Sequence, residues 1–273
     1  MSDIILSSGV RSNLVSLQQT ASLIAQTQTR LATGKRVNSA LDNPINFFTA
    51  QGLSNRASDL TNLLDSMSTA ISTIQAANNG LTSITKLVQS AQALASQAQQ
   101  TSDATVRLGL STQYNAIKTQ IDQLAGDSGF NGINLLDSTN SANLTVQLNE
   151  RNTSSVTVTA VDFSSNGLAI NNAVNNWGGT ADITAASTDL TAALTTLRSQ
   201  AQAFGSNLST VQIRQDFTKA TINTLQTGAD ALTLADSNEE GANLLALQTR
   251  QQLSTTALSL ASQASQAVLR LFQ

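Results

Sequence analysis

The chain has 273 residues, 40% apolar and only 11% charged, with neither His nor Cys, whereas an ordinary domain carries about 25% charge. Ser, Thr, Asn and Gln supply about four residues in ten, an unusual surface for a free monomer. Without imidazole or thiol there is no His-based acid–base chemistry, Cys nucleophile, zinc finger, iron–sulfur cluster or disulfide. Carboxylate-only catalysis or a hard-cation site stays open in principle, but Asp and Glu are nowhere concentrated, so no catalytic residue, cofactor or metal ligand is expected.

The charges are 14 basic and 17 acidic, net −3, and they are scattered, with a single Trp and a single Tyr. They form no stripe or stacking platform for a nucleic-acid partner. No run approaches the roughly 18 apolar residues of a spanning helix, so no membrane partner is expected. The opening Met1–Val10 stretch lacks the basic and apolar regions of a cleaved signal peptide.

In chain order, Val10, Leu14, Leu17, Ala21, Ile24, Gln28 and Leu31 step by four and three, the seam of one amphipathic helix from Ile4 to Thr33. Gly34 stops it. A connecting loop over 34–44 ends at Asp42-Asn43-Pro44, a cap followed by Pro at the first helical position. The second helix runs to about Gln99. It carries Leu64, Met67, Ile71, Ile74, Asn78, Leu81, Thr85 and Val88 on one stripe and Leu63, Ala70, Ala77, Ile84 and Ala91 on the next, which predicts more than one partner helix. Asn78-Asn79-Gly80 is a weak spot through which the phase continues.

A third helix, about Asp103–Leu124, presents Leu110, Tyr114, Ile117, Ile121 and Leu124 before Gly126, Gly129 and Gly132 end it. Leu144, Val146 and Leu148 then alternate with polar neighbours, as do Val156, Val158 and Ala160, predicting a β-hairpin over about 141–163 that must lean on the helices. From Leu190 to Leu232 a seam continues for about six heptads without slipping. Gly205 and Gly228 lie off it, which predicts close packing or mild bending there. After the break at Asp236–Gly241, a last helix repeats the opening theme with Leu253, Ala257, Leu260, Ala264, Ala267 and Leu271.

The fold class is thus mainly α. The expected architecture is long antiparallel helices in a coiled-coil terminal domain, residues 1–35 with 238–273, plus a helical bundle over 36–237 that includes the hairpin. A lone helix with a narrow apolar seam is marginal in water, so the two ends pair. Their outer faces carry Ser, Thr, Gln and Ala instead of a charged coat, which favours association of copies; contacts that do not close into a ring make helical filaments.

The stretch Leu31-Ala-Thr-Gly-Lys-Arg-Val-Asn-Ser-Ala-Leu-Asp-Asn-Pro44 closely resembles the signature at the end of the first helix of bacterial flagellin. Phe130-Asn-Gly-Ile-Asn-Leu-Leu136 is similar to the family's turn after the third helix, Leu144–Asn171 to its hairpin and following loop, and Gln263–Phe272 to its closing motif. The closing motif departs from the family pattern by two residues fewer between Gln266 and Val268 and by lacking a proline. The resemblance covers nearly the whole chain. Only about 171–183 stands where longer members insert a variable region, so this is a short form without large outer domains, resembling flagellins of alphaproteobacteria.

The resemblance implies a structural, non-enzymatic subunit of the filament. It implies a protein exported unfolded without a cleaved signal peptide, and assembled extracellularly at the distal tip. The implied partners are further copies, sibling flagellins, an export chaperone, the filament cap and hook-junction proteins. The proposed polymerisation interface is Leu14, Leu17, Ile24, Leu31, Leu253, Leu260, Leu271 and Phe272. Arg30, Lys35, Arg36, Asp42 and Pro44 are assigned to the connecting loop. Many flagellins are sensed by an innate receptor through charged residues on the second helix; the matching Gln89–Leu94 carries none, so weak or no recognition is expected. The alternatives are a hook–filament junction protein of the same family or a flagellin-like cell-surface binding protein.

Overall fold

A computed structural model describes residues 8–271, except the side chains of 265 and 268–271. Expectations for Ile4, for Phe272 and for the side chain of Leu271 lie outside the described residues. The elements are α1 (Ser8–Thr33), α2 (Pro44–Gln99), α3 (Ala104–Asp127), β1 (Leu144–Gln147), β2 (Ser155–Val158), a 3-10 turn (Val174–Trp177), α4 (Thr180–Thr233) and α5 (Ser237–Leu271). This is the mainly α fold with a small antiparallel hairpin that the periodicities predict. Two compact units divide it, residues 1–55 with 224–273 and residues 56–223. Their limits fall inside α2 and α4, not at the connecting loop.

In the unit of residues 56–223, α2 buries Leu60, Met67, Ala70, Ile74, Ala77, Leu81, Ile84, Val88, Ala91, Ala95 and Ala98. This seam runs between the two stripes read from the sequence and takes residues from both. Leu64, Ile71 and Thr85 are half-buried and Asn78 is exposed. Gly80 sits where α2 meets the end of α3: a Cβ there would lie 2.7 Å from Ser128 Cβ and 2.8 Å from Leu136 Cδ1. The Asn-Asn-Gly weak spot is therefore a contact point within an unbroken helix.

Asp103 caps α3, its carboxylate accepting from the N–H groups of Thr105 and Val106. Buried Leu110, Tyr114 and Ile121 face the core. After α3, Asn131 (φ 49) and Gly132 (φ 79) hold the left-handed region, while Phe130 and Ile133 exchange N–H···O bonds of 2.8 and 3.0 Å; this is the geometry of a tight primed turn. Leu135 and Leu136 then become fully buried.

In the hairpin Leu144 pairs with Val158 and Val146 with Val156. Leu144, Val146, Leu148 and Val158 are buried while Thr145 and Thr157 are exposed, the period-2 pattern of a sheet with one covered face. The α4 seam is buried or half-buried at each position from Leu190 to Leu225. Its polar Gln215 donates to Ser68 Oγ at 2.8 Å.

Of the two glycines off the α4 seam, Gly205 has open space where a Cβ would go, and a Cβ at Gly228 would stand 3.4 Å from Leu53 Cδ1, an ordinary contact; the close packing expected at these glycines is absent at Gly205. Residues 171–183 contribute to the core. Ile183 and Trp177 are fully buried, and Asn175, Asn176 and Trp177 take positive φ of 47, 51 and 61° to turn the indole inward.

Candidate assembly surface

The unit of residues 1–55 and 224–273 is organised by α1 against α5. Both carry apolar residues at three and four spacing, and each owes its stability mainly to packing that face against a partner. Arg30 lies beside Glu240 and Leu23 shares a groove with Arg250, so the two helices run antiparallel. On α1 the residues turned from solvent are Leu14, Leu17, Thr20, Ile24, Thr27 and Leu31, with Thr20 and Thr27 the most buried. Ala21 and Gln28, read as seam positions from the sequence, are exposed. The Thr20 hydroxyl donates to Ser16 O at 2.9 Å, so its burial leaves no unpaired donor.

On α5 the half-buried residues are Leu244, Leu247, Gln251, Ser254, Leu258 and Ala261, again alternating three and four. This is a different stripe from the one read in the sequence. Leu253 is 67% and Leu260 61% exposed, and Ala257, Ala264 and Ala267 are exposed with them. Leu245 is also 67% exposed. The helix therefore has two leucine-bearing stripes, and only one is used within the chain. Single-sequence periodicity finds both stripes equally well and cannot rank them.

The connecting loop is fastened by backbone. Gly34 takes φ 68°, the left-handed helix stop. Arg36 and Val37 N–H groups donate to Thr233 O at 2.8 and 3.3 Å, and Ala235 N–H donates to Gly34 O at 3.0 Å. Lys35 pairs with Leu234 in an antiparallel bridge, and Arg36 Nη2 donates to Ala231 O at 3.1 Å. Arg30, in the last turn of α1, meets Glu240 Oε1 at 2.9 Å. Glu240 stands in the first turn of α5, so each charge also faces the helix end that favours it.

Asp42 Oδ2 accepts from the Asn38 and Ser39 N–H groups, both at 2.9 Å. Those two donors, Ser39 first, hold its carboxyl below the usual carboxylate range. Asn43 Oδ1 accepts from Asn46 N–H at 3.0 Å, which caps α2 ahead of Pro44. Within the chain, Arg30, Arg36 and Asp42 thus pair with Glu240, the Ala231 carbonyl and the Asn38 and Ser39 N–H groups. The loop's backbone ladder to the end of α4 had no sequence signal, since main-chain partners carry no residue signature.

Among the described residues no group of three or more Asp or Glu could hold a metal ion, and no helix is long and apolar enough to cross a membrane.

A family model for the bacterial flagellin N-terminal helical region matches residues 7–141, and one for the C-terminal helical region matches residues 182–272. The chain is 30% identical to flagellin FljM of Caulobacter vibrioides over 267 residues, 97% of each chain. It is similar to flagellin FljO of the same organism at the same identity and coverage. It is 25% identical to the flagellin of Brucella melitensis over 285 residues, spanning the whole of both. With terminal helical regions matched in order and relatives aligned along their full length, the chain belongs to the bacterial flagellins, structural subunits of the flagellar filament.

Proposed function

We propose that the paired α1 and α5 helices form the inner layer of a hollow filament, residues 1–35 with 238–273, and that residues 36–237 form the layer outside it. The observation that carries this reading is the outward leucine row of α5. Leu245, Leu253 and Leu260 are each more than 60% exposed on a helix whose other stripe already packs on α1. A row of this kind marks a contact surface, and in a filament a neighbouring copy covers it. Leu14, Leu17, Ile24 and Leu31 then hold α5 from within the chain, while Leu253 and Leu260 reach neighbours. Leu271 and Phe272 complete the same row in the sequence.

The low charge and absence of Cys suit a chain exported unfolded and assembled at the distal tip, outside the cell. An export chaperone, the filament cap and hook-junction proteins are the corresponding partners, and sibling flagellins share the filament. The protein works as a structural element with no enzymatic step. The stretch Gln89–Leu94 presents no charge on α2, which supports weak or absent innate-receptor recognition.

The test is Leu260→Asp in the full chain. The variant is expected to keep the far-ultraviolet helical signal and the buried Trp177 emission while electron microscopy shows no filaments under conditions where the unsubstituted protein forms them. Filaments of normal length and abundance from the variant overturn the interface.

A further inference from the structure

A second apolar surface lies outside the terminal helices. Leu41 is 97% exposed, Ile45 78% and Phe48 63%. Ile45 and Phe48, three apart at the start of α2, share one face of the helix, and Leu41 stands in the turn that leads into it. Phe47, half-buried, meets Phe48 edge-on with ring centroids 5.5 Å apart, which props the Phe48 ring toward solvent. The segment is held rigidly by the Asp42 and Asn43 caps, so the exposure does not come from a loose loop. On α4, Ile213 and Phe217 are 66% and 61% exposed at i, i+4. Between them in sequence are Arg214, exposed and paired with no carboxylate among the described residues, and Asp216, which lies 3.7 Å from Lys219. Exposed large apolar groups that cluster on structured elements mark contact sites.

We propose that the Leu41–Ile45–Phe48 knuckle of one copy docks on the Ile213–Phe217 face of a second copy, a lateral contact separate from the α5 row. The occupant follows from three observations. The chain belongs to a family of filament subunits, so a copy of itself is the neighbour each surface meets. A patch pairing with its own equivalent closes into a dimer, whereas two different patches propagate, and a filament needs the second arrangement. The charges also match: Asp42 stands beside the knuckle, and on the receiving face Lys219 offsets Asp216 while Arg214 is left without a carboxylate partner among the described residues. Aromatic anchors ringed by polar groups are the usual centres of such contacts.

This inference rests on the filament reading above, and its test separates the two. In full-length protein under sulfate-induced polymerisation, Phe48→Lys and Phe217→Glu are each expected to raise the critical concentration at least about tenfold, with helical signal and Trp177 emission unchanged. Where either variant loses that signal, Ile45→Ala and Ile213→Ala provide the milder pair. The chain carrying both charges is expected to fall well short of the roughly hundredfold loss that independent sites give, because Lys meets Glu across one contact. Normal polymerisation of both single variants, or a double variant as poor as the product of the singles, overturns this docking while the α5 interface stands. An unsubstituted protein that never polymerises sinks the filament reading and this inference together.

Discussion

Tyr114, the single tyrosine, is 1% exposed and tilts against Trp177 with ring centroids 5.0 Å apart. Its hydroxyl donates to Asn171 O at 3.0 Å. Nearby, Arg107 is buried and holds the carbonyls of Ala98, Thr101 and Gly178 through its guanidinium. Burial first, and the Asp189 charge second, push the Tyr114 phenol up to about 12 from 10.0. The folded chain therefore keeps a proton that the unfolded chain releases from pH 10 upward, so this stabilisation is complete below pH 10 and lost as pH rises toward 12. Absorbance of the phenolate is expected to rise near pH 12, together with the red shift of Trp177 emission as the rings separate. Tyr114→Phe is expected to flatten the decline in stability between pH 10 and 12. A phenolate titrating at pH 10 with Trp177 still buried contradicts this account.

Gly80 and Gly205 lie in the interiors of the two longest helices, and propensity alone assigns each a cost of about 1 kcal/mol against Ala. Their surroundings decide differently. At Gly205 a Cβ meets nothing within 4 Å, so Gly205→Ala is expected to stabilise by about 0.5–1 kcal/mol. At Gly80 the same Cβ would crowd Ser128 and Leu136, the latter fully buried, and overpacking of this kind costs about 1–3 kcal/mol. Gly80→Ala is therefore expected to destabilise. Urea unfolding of both variants, followed through Trp177, checks the opposite signs; two stabilised variants remove the close approach of α2 to the end of α3.

The same elements show what a sequence of this kind discloses. Heptad phase located every helix, and alternation at Leu144–Leu148 located the hairpin, because burial enforces a period wherever one face is covered. Phase did not say which stripe faces inward: Leu244, Leu247 and Leu258 of α5 look like Leu253 and Leu260 until α1 is in place. The inward turn at Trp177 was equally hidden, since Asn175 and Asn176 tolerate positive φ without requiring it.

At the scale of the molecule the hydroxyl-rich surface has a physical meaning beyond low charge. Thr184, Thr188, Thr191 and Thr195 along α4 each donate to the carbonyl four residues earlier, at 2.8–3.0 Å, and the exposed Thr69 and Thr82 do the same on α2. A hydroxyl satisfied by its own helix loses no donor bond when water leaves. Faces of this kind dehydrate at low cost against a neighbour. With a net charge of −3 there is also little long-range repulsion for salt to screen. Assembly driven this way follows the exclusion of sulfate from protein surface, not ionic strength. Ammonium sulfate is therefore expected to lower the critical concentration steeply, while sodium chloride at equal ionic strength moves it by no more than about twofold. Sedimentation across both salts measures this. Equal responses to the two would mean that screened charge, concentrated around Arg30, Arg36, Asp42 and Glu240, controls the contacts in place of the leucine row and the hydroxyl-bearing faces.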